Sequence, residues 1–367
     1  MCYFSDGFTD KSYFSMVKLM AEGLYSDTKV DKPLAGFAFR YFEDESVNAS
    51  AYTGVLGQDC LDMNVGTLSF FFSYMKTAMA DDSVLKEIGN PDVETNRIIG
   101  GGYDKNKRAL LFSGTPIDPK RDSMSLFLST LAIRFIITHE FGHLFNGHSD
   151  FIKKLYAIPK NEMVLKSKIP SMQDSYALDR RTMEMDADAC AATYSIDNII
   201  ELYKSYDDDA FGYLYAKLDK KSTLFKLWSF SVHSIFLIFE DFAKSDYSPN
   251  SYYLPNEARA ILAFSAAFNA LDNFRKHGIF KCDDEEYKEI NKKIIDGILE
   301  AERFINRKFG KQYNYIASTT GDTKYVKYSN EVLDYWNNTL RAKLEKYSRT
   351  PLYNPKTIDK QIEAYKN

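Results

Sequence analysis

The stretch Ser123–His148, SMSLFLSTLAIRFIITHEFGHLFNGH, decides how the rest of the chain is read. At its centre stands His139-Glu140-Phe141-Gly142-His143, an HExxH pattern. Residues four apart lie one turn apart on the same helix face, so the two imidazoles can grip one metal ion. With His139 at the origin of a helical wheel, Leu128, Ala132, Phe135, Ile136, His143 and Asn146 fall within about sixty degrees of it. This stripe is apolar early and metal-liganding late, the pattern of a buried helix whose C-terminal half opens into a cleft. Arg134 falls on the opposite side, and Gly142 removes bulk beside the metal position. Ile136, Ile137 and Thr138 before the motif, and Leu144 and Phe145 after it, are uncharged, as a buried catalytic helix requires. The plainer alternative is a pair of partly buried histidines satisfied by hydrogen bonds.

Two prolines in Thr115–Arg121 predict an extended segment before this helix. Asp122 or Ser123 is then the N-cap, and Gly147 the C-terminal stop. A catalytic zinc takes three protein ligands and leaves a fourth position open, so a third ligand must come from elsewhere. A metzincin would place glycine and histidine where this chain has Asn146 and Ser149, which removes that option. His148 lies near the helix end and off the stripe, the place of a surface histidine or of an outer partner rather than of a ligand. A second helix, from near Asp179 through Tyr194, puts Glu184, Ala187, Asp188, Ala191 and Ser195 on one face. The small residues permit close approach of a neighbouring helix. Glu184 is therefore the candidate third ligand, and Asp188 the candidate acceptor for the free N–H of a liganding histidine. An ordinary charged helix face is the alternative, but alanines are the wrong neighbours for a solvated stripe.

HEFGH followed by Glu184-Met185-Asp186-Ala187-Asp188 resembles the HExxH…ExxAD pattern of the gluzincin zinc metallopeptidases. It is similar to the HtpX and prenyl-protein peptidase group, to ImmA/IrrE-type peptidases and to Lit-like phage-exclusion proteases. The resemblance spans about residues 123–195 and belongs to the superfamily rather than to one family in it. It implies a zincin-like catalytic core with Zn2+ held by His139, His143 and Glu184, Glu140 as catalytic base and Asp188 as orienting acid. HtpX-like members are embedded in membranes, and the absence of a spanning helix here points to the soluble relatives. Several of these families carry a His-Pro followed by an arginine. Here Leu254-Pro255 and Arg259 keep the proline and the arginine and lose the histidine. Tyr252, Tyr253, Arg259 and His233 are the candidates for an oxyanion or substrate-binding role, with a structural role as the plainer reading of each.

The 367 residues are enough for one large domain or two ordinary ones. A net charge of -4, with lysines interleaved among acids, gives no basic footprint for nucleic acid. Four scattered cysteines without CxxC pairing suggest free thiols in a reducing compartment. The N-terminal residues carry Asp6 and no signal-length apolar run. The apolar windows Val65–Ala80 and Leu227–Phe239 are interrupted by Lys76 and His233 and fall short of the ~20 residues of a spanning helix. The sequence thus predicts a soluble, cytoplasmic chain with no membrane and no nucleic-acid partner.

Outward from the motif, Tyr13, Met16, Val17 and Met20 have helical spacing, and Ala35–Phe42 alternates like a half-buried strand. Ser46–Val55 is its candidate hairpin partner, and Asn64–Ala80 an aromatic-rich helix. Asp81–Gly102 reads as a short helix and a glycine-rich loop. Gly100-Gly101-Gly102 lacks the following Lys-Ser/Thr of a phosphate loop and is better read as a turn into the strand Arg108–Ser113. Tyr156–Gln173 is a long connection that could cover the site, and Asp207–Asp209 an acidic loop. Helices are expected over Thr223–Phe242, Glu257–Arg275, Asp284–Phe309 and Asn330–Tyr347, with the tyrosine-rich loop Tyr247–Asn256 between the first two. The expected fold is α+β and predominantly α-helical, with a zincin-like core, a small N-terminal β-sheet and a helical C-terminal extension. Its parts are 1–115 (N-terminal α+β), 116–280 (helical zinc-binding core) and 281–367 (a charged appendage with solvated faces). The expected function is zinc-dependent endopeptidase, with Glu140 as general base toward a metal-activated water and a protein or peptide substrate. Strand Arg108–Ser113 is the candidate edge for adding the substrate as a further strand. A narrower version has one dedicated protein target in regulation or phage defence. The alternative from another class is a non-catalytic zinc scaffold binding partners through its charged C-terminal helices. Glu140 speaks against that, since a structural zinc needs no base.

Overall fold

A computed structural model describes residues 11–28, 36–95, 100–104, 109–156, 173–206, 218–242, 251–315 and 323–354. The connection between Tyr156 and Gln173, the acidic loop at Asp207–Asp209, Arg108 and the first residues of the Tyr247–Asn256 loop lie outside them.

The motif helix, α3, runs Pro119–Phe145, a turn earlier than the prolines suggested. Its cap is Asp118, not Asp122 or Ser123: the Asp118 carboxylate accepts from Lys120 N at 3.0 Å and Arg121 N at 2.9 Å. Pro119 sits at the first helical position, where its missing N–H loses nothing. At the other end Asn146 caps the helix, and Gly147 turns into the left-handed region at φ 78°. Space also demands glycine there, since a Cβ would come within 2.5 Å of the Tyr347 backbone.

Arg121 explains why no α-helix forms between Ala80 and Asn90. Its fully buried guanidinium donates to the carbonyls of Met79, Asp81, Val84, Leu85 and Ile88. Those oxygens are turned onto one side chain rather than along a helix axis, so the segment forms turns and the short 3-10 helix Pro91–Glu94.

Strands β1 (Phe37–Phe42), β2 (Ala49–Thr53) and β3 (Asp59–Asn64) form one sheet in the order β1-β3-β2. The expected pairing of β1 with β2 does not occur, because β3 lies between them, parallel to β1 and antiparallel to β2. Its sequence DCLDMN carries two aspartates and no β-branched residue, which hides it. Asp59 is tolerated at zero exposure because Tyr25 and Arg349 supply its hydrogen bonds. The glycine run is itself a strand, β4 (Gly100–Asp104), antiparallel to β5 (Ala109–Ser113).

The other helices are α1 (Lys11–Asp27), α2 (Val65–Met79), α4 (His148–Tyr156), α5 (Gln173–Lys204) and α6 (Thr223–Phe242). They are followed by α7 (Asn256–Lys276), α8 (Asp284–Phe309) and α9 (Thr323–Tyr335), which continues through a π turn to Leu344. The described fold is therefore α+β and predominantly helical. α3 is its centre, packed against α1, α2, α5, α6 and β2. Among the described residues, α3 is also the helix long and apolar enough to cross a membrane, although 72% of its most apolar window is buried inside the protein. Its apolar surface is taken up by neighbouring elements. The charged C-terminal part does not stand apart from the core. The α8 stripe Ile290, Ile294, Ile298, Phe304 and Ile305 packs with α6 in the main apolar cluster, and the charges occupy the other face.

Candidate metal centre

α3 and α5 supply the site from facing surfaces. They meet closely because Gly142 faces Ala187 and Cys190: a Cβ on Gly142 would come 3.1 Å from Ala187 Cα and 3.3 Å from Cys190 Cβ. Ala187 and Ala191 are fully buried there, so the small-residue face of α5 is a helix contact. The glycine serves helix approach more than space around a metal.

That contact brings His139, His143 and Glu184 together, one ligand atom from each within 4.8 Å of the others. The two Nε2 atoms are 3.2 Å apart. Glu184 Oε2 stands 3.5 Å from His139 Nε2, and Oε1 stands 3.7 Å from His143 Nε2. A tetrahedral zinc with bonds near 2.0–2.1 Å requires ligand separations of about 3.3 Å. The three groups therefore fit such an ion with small closing movements.

The partners behind the ligands are fixed. His139 Nδ1 lies 2.9 Å from Asp188 Oδ1, and Arg259 holds Asp188 through two hydrogen bonds, Nε to Oδ2 at 2.7 Å and Nη2 to Oδ1 at 2.9 Å. Arg259 thus backs the acid on α5. Arg180, one turn before Glu184, donates to Glu184 Oε1 at 3.2 Å. His143 Nδ1 faces His148 Nδ1 at 3.0 Å, and His148 is 1% exposed. His148 is therefore an outer partner and not a surface histidine. Glu140 points to another side, where its Oε2 accepts from the Ala51 amide of β2 at 3.0 Å. The strand beside Glu140 is thus β2. β5, the expected substrate edge, belongs to a hairpin packed against α2 and α8. Of the weaker candidates, His233 is buried against Glu302 of α8, Tyr252 packs edge-on to Tyr176, and the Tyr253 hydroxyl bonds Arg180.

Four carboxylates, Glu140, Glu184, Asp186 and Asp188, gather here with two guanidiniums, Arg180 and Arg259. Carboxylates thus outnumber guanidiniums around the imidazoles, a shortage of positive charge that a divalent cation would fill. In the metal-free chain a proton fills part of it. Burial works against a charge on His139, but Asp188 and Glu184 hold its proton and raise it to about 10. Burial, with charged His139 beside it, keeps His143 neutral, well below its ordinary value. His139 Nε2–H then donates to His143 Nε2, which puts the proton on the ligand side of both rings. Burial alone would raise Glu184 and Asp188. The imidazoles and Arg180 for the first, and Arg259 and His139 for the second, outweigh it and keep both ionised. Burial raises Glu140 to about 7, against the pull of His139 and the Ala51 amide.

No protein-family model, curated protein or solved structure matches the chain. Arg180, Asp186 and the Ala51 amide are the members the sequence pattern did not assign to the site, while His148 takes the outer-partner role of the two the sequence offered. Arg180 was detectable, since it precedes Glu184 by one helical turn.

Proposed function

We propose that the chain is a zinc-dependent endopeptidase. The observation that carries this reading is the convergence of His139 Nε2, His143 Nε2 and the Glu184 carboxylate, with Glu140 beside them and outside the ligand set. His139, His143 and Glu184 would hold the ion. When bound, zinc supplies Lewis-acid polarisation of the scissile carbonyl and lowers the pKa of attacking water toward neutrality. Glu140 takes the water proton and delivers it to the leaving amine, a task suited to a carboxyl raised toward pH 7 by burial. The Ala51 amide fixes the angle of that carboxyl, and Asp188 with Arg259 fixes the ring of His139.

β2 is the substrate edge in this reading. It is an outer strand of its sheet, and its pairing with β3 turns Ala49, Ala51 and Thr53 away from β3; Ala51 is taken there by Glu140 and Ser149, which leaves Ala49 and Thr53 to pair. An extended peptide added there runs past Glu140. The alternative of a zinc scaffold without hydrolysis does not account for Glu140, which holds no ligand position.

The test is cleavage of an unfolded protein with and without chelator, for the parent chain and for Glu140→Gln. Cleavage by the parent alone, abolished by chelator and restored by zinc, is the expected result. In the variant zinc stays bound and the rate falls by at least about 100-fold. Cleavage indifferent to chelator, or equal in the variant, contradicts the proposal.

A further inference from the structure

The side of His143 turned away from the ligand cluster leads through a directed series of polar groups to residues near the C-terminus. His143 Nδ1 meets His148 Nδ1 at 3.0 Å, and His148 Nε2 lies 3.1 Å from Asp186 Oδ2. Asp186 Oδ2 also accepts from Asn146 Nδ2 at 2.6 Å, and Asn146 Oδ1 accepts from Thr350 Oγ1 at 3.1 Å. His148, Asp186 and Asn146 are each at most 8% exposed. One assignment of hydrogens suits the series, with His148 Nε2 meeting Asp186 as an ion-pair contact that falls short of hydrogen-bond geometry. If His143 binds through Nε2, its Nδ1 carries the hydrogen and donates to His148. His148 then carries its hydrogen on Nε2, toward Asp186. Asp186, which accepts from Asn146 and faces His148 Nε2 as an ion-pair partner, ends the series.

The segment carrying Thr350 is fastened across the C-terminal end of α3. The helix leaves its last carbonyls without intrahelical partners. Arg349 N donates to Phe145 O at 2.7 Å, Arg349 Nη2 to Leu144 O at 3.3 Å and Ser348 Oγ to Phe145 O at 3.2 Å. The same guanidinium grips the fully buried Asp59 of β3 at 2.6 and 3.0 Å. Gly147 lets the backbone of Tyr347 and Ser348 pass directly against the turn between α3 and α4. An ordinary helix cap would stop at the carbonyls. This one continues from Thr350 through Asn146, Asp186 and His148 to His143.

We infer that His148 and Asp186 are positioning residues for His143, and that the segment 347–350 sets them through Thr350 and Asn146, which makes it part of the metal centre. The inference rests on the metal-centre reading above. In the metal-loaded protein, His148 and Asp186 hold the His143 ring in the plane that presents Nε2 to the ion, as Asp188 and Arg259 do for His139. Partners of this kind set metal affinity by about 10- to 100-fold.

The test uses the full chain, with zinc affinity by chelator competition, the visible spectrum of the cobalt-loaded protein, and the melting temperature of the metal-free protein. His148→Phe is expected to weaken zinc by about 10- to 100-fold and to shift the cobalt bands. Thr350→Val, which keeps the shape and removes the hydroxyl, is expected to give a smaller loss of zinc affinity and a cobalt shift in the same direction, and Thr350→Ser to restore the parent values. If the parent binds zinc and both His148→Phe and Thr350→Val match it in affinity and spectrum, the inference is overturned and the metal site stands. The inference is overturned in the same way if the variants only lower the metal-free melting temperature and leave the cobalt bands in place. A parent chain that holds neither metal overturns the metal-centre reading and this inference with it.

Discussion

His139 carries the most information of any single residue. Its proton, held by Asp188 and Glu184 up to about pH 10, lies on the Nε2 side facing His143 and Glu184, where a cation would be held. The sign of the pH dependence follows. A histidine whose folded value lies above its free value of 6.5 stabilises the metal-free fold fully below that value, and the contribution is lost as pH rises through about 10. Metal uptake must expel that proton. At pH ~8, zinc binding is expected to release about one proton per ion, measurable by calorimetry in buffers of different ionisation heat. Binding with no proton release would contradict the assignment. Glu184→Ala removes a ligand and leaves Arg180 beside the imidazoles without its acceptor. It is expected to weaken zinc by more than about 100-fold, in the same competition assay, with His139 easier to deprotonate.

At the scale of elements, the site is a contact between α3 and α5, and Gly142 sets its spacing. Gly142→Val drives a branched side chain into Ala187 and Cys190. It is expected to lower stability by about 1–3 kcal/mol and to weaken zinc, whereas a valine that changes neither would show that the helix spacing does not set the site. Arg121→Met strips the carbonyls after α2 of their donor and is expected to lose at least about 3 kcal/mol in denaturant unfolding. α3 was legible because its apolar stripe and two histidines share one period, and the α5 face because carboxylates beside alanines contradict a solvated surface. β3 was not, since its aspartates oppose strand propensity locally and only Tyr25 and Arg349, 34 and 290 residues away, make one of them bearable. The start of α3 was misplaced because Pro119 fits a helix's first turn as well as an extended segment.

In the whole molecule the site depends on parts distant in sequence. β2 places an amide on Glu140, α7 places Arg259 behind Asp188, and the residues after α9 close the end of α3. Sequence periodicity reports the face of each element and not its neighbours, so the charged C-terminal part was legible as helices and illegible as core. His148 and Asp186 were likewise visible as residues, but their bearing on His143 depends on the turn at Gly147 and on the approach of α5. The proposed chemistry turns on the position of one metal ion. Crystals of the zinc-loaded chain, with anomalous diffraction measured on both sides of the zinc edge, test it most directly. The expected result is one peak per chain about 2.0–2.1 Å from His139 Nε2 and His143 Nε2 and within bonding distance of Glu184. A peak elsewhere, or none at full zinc loading, would contradict it.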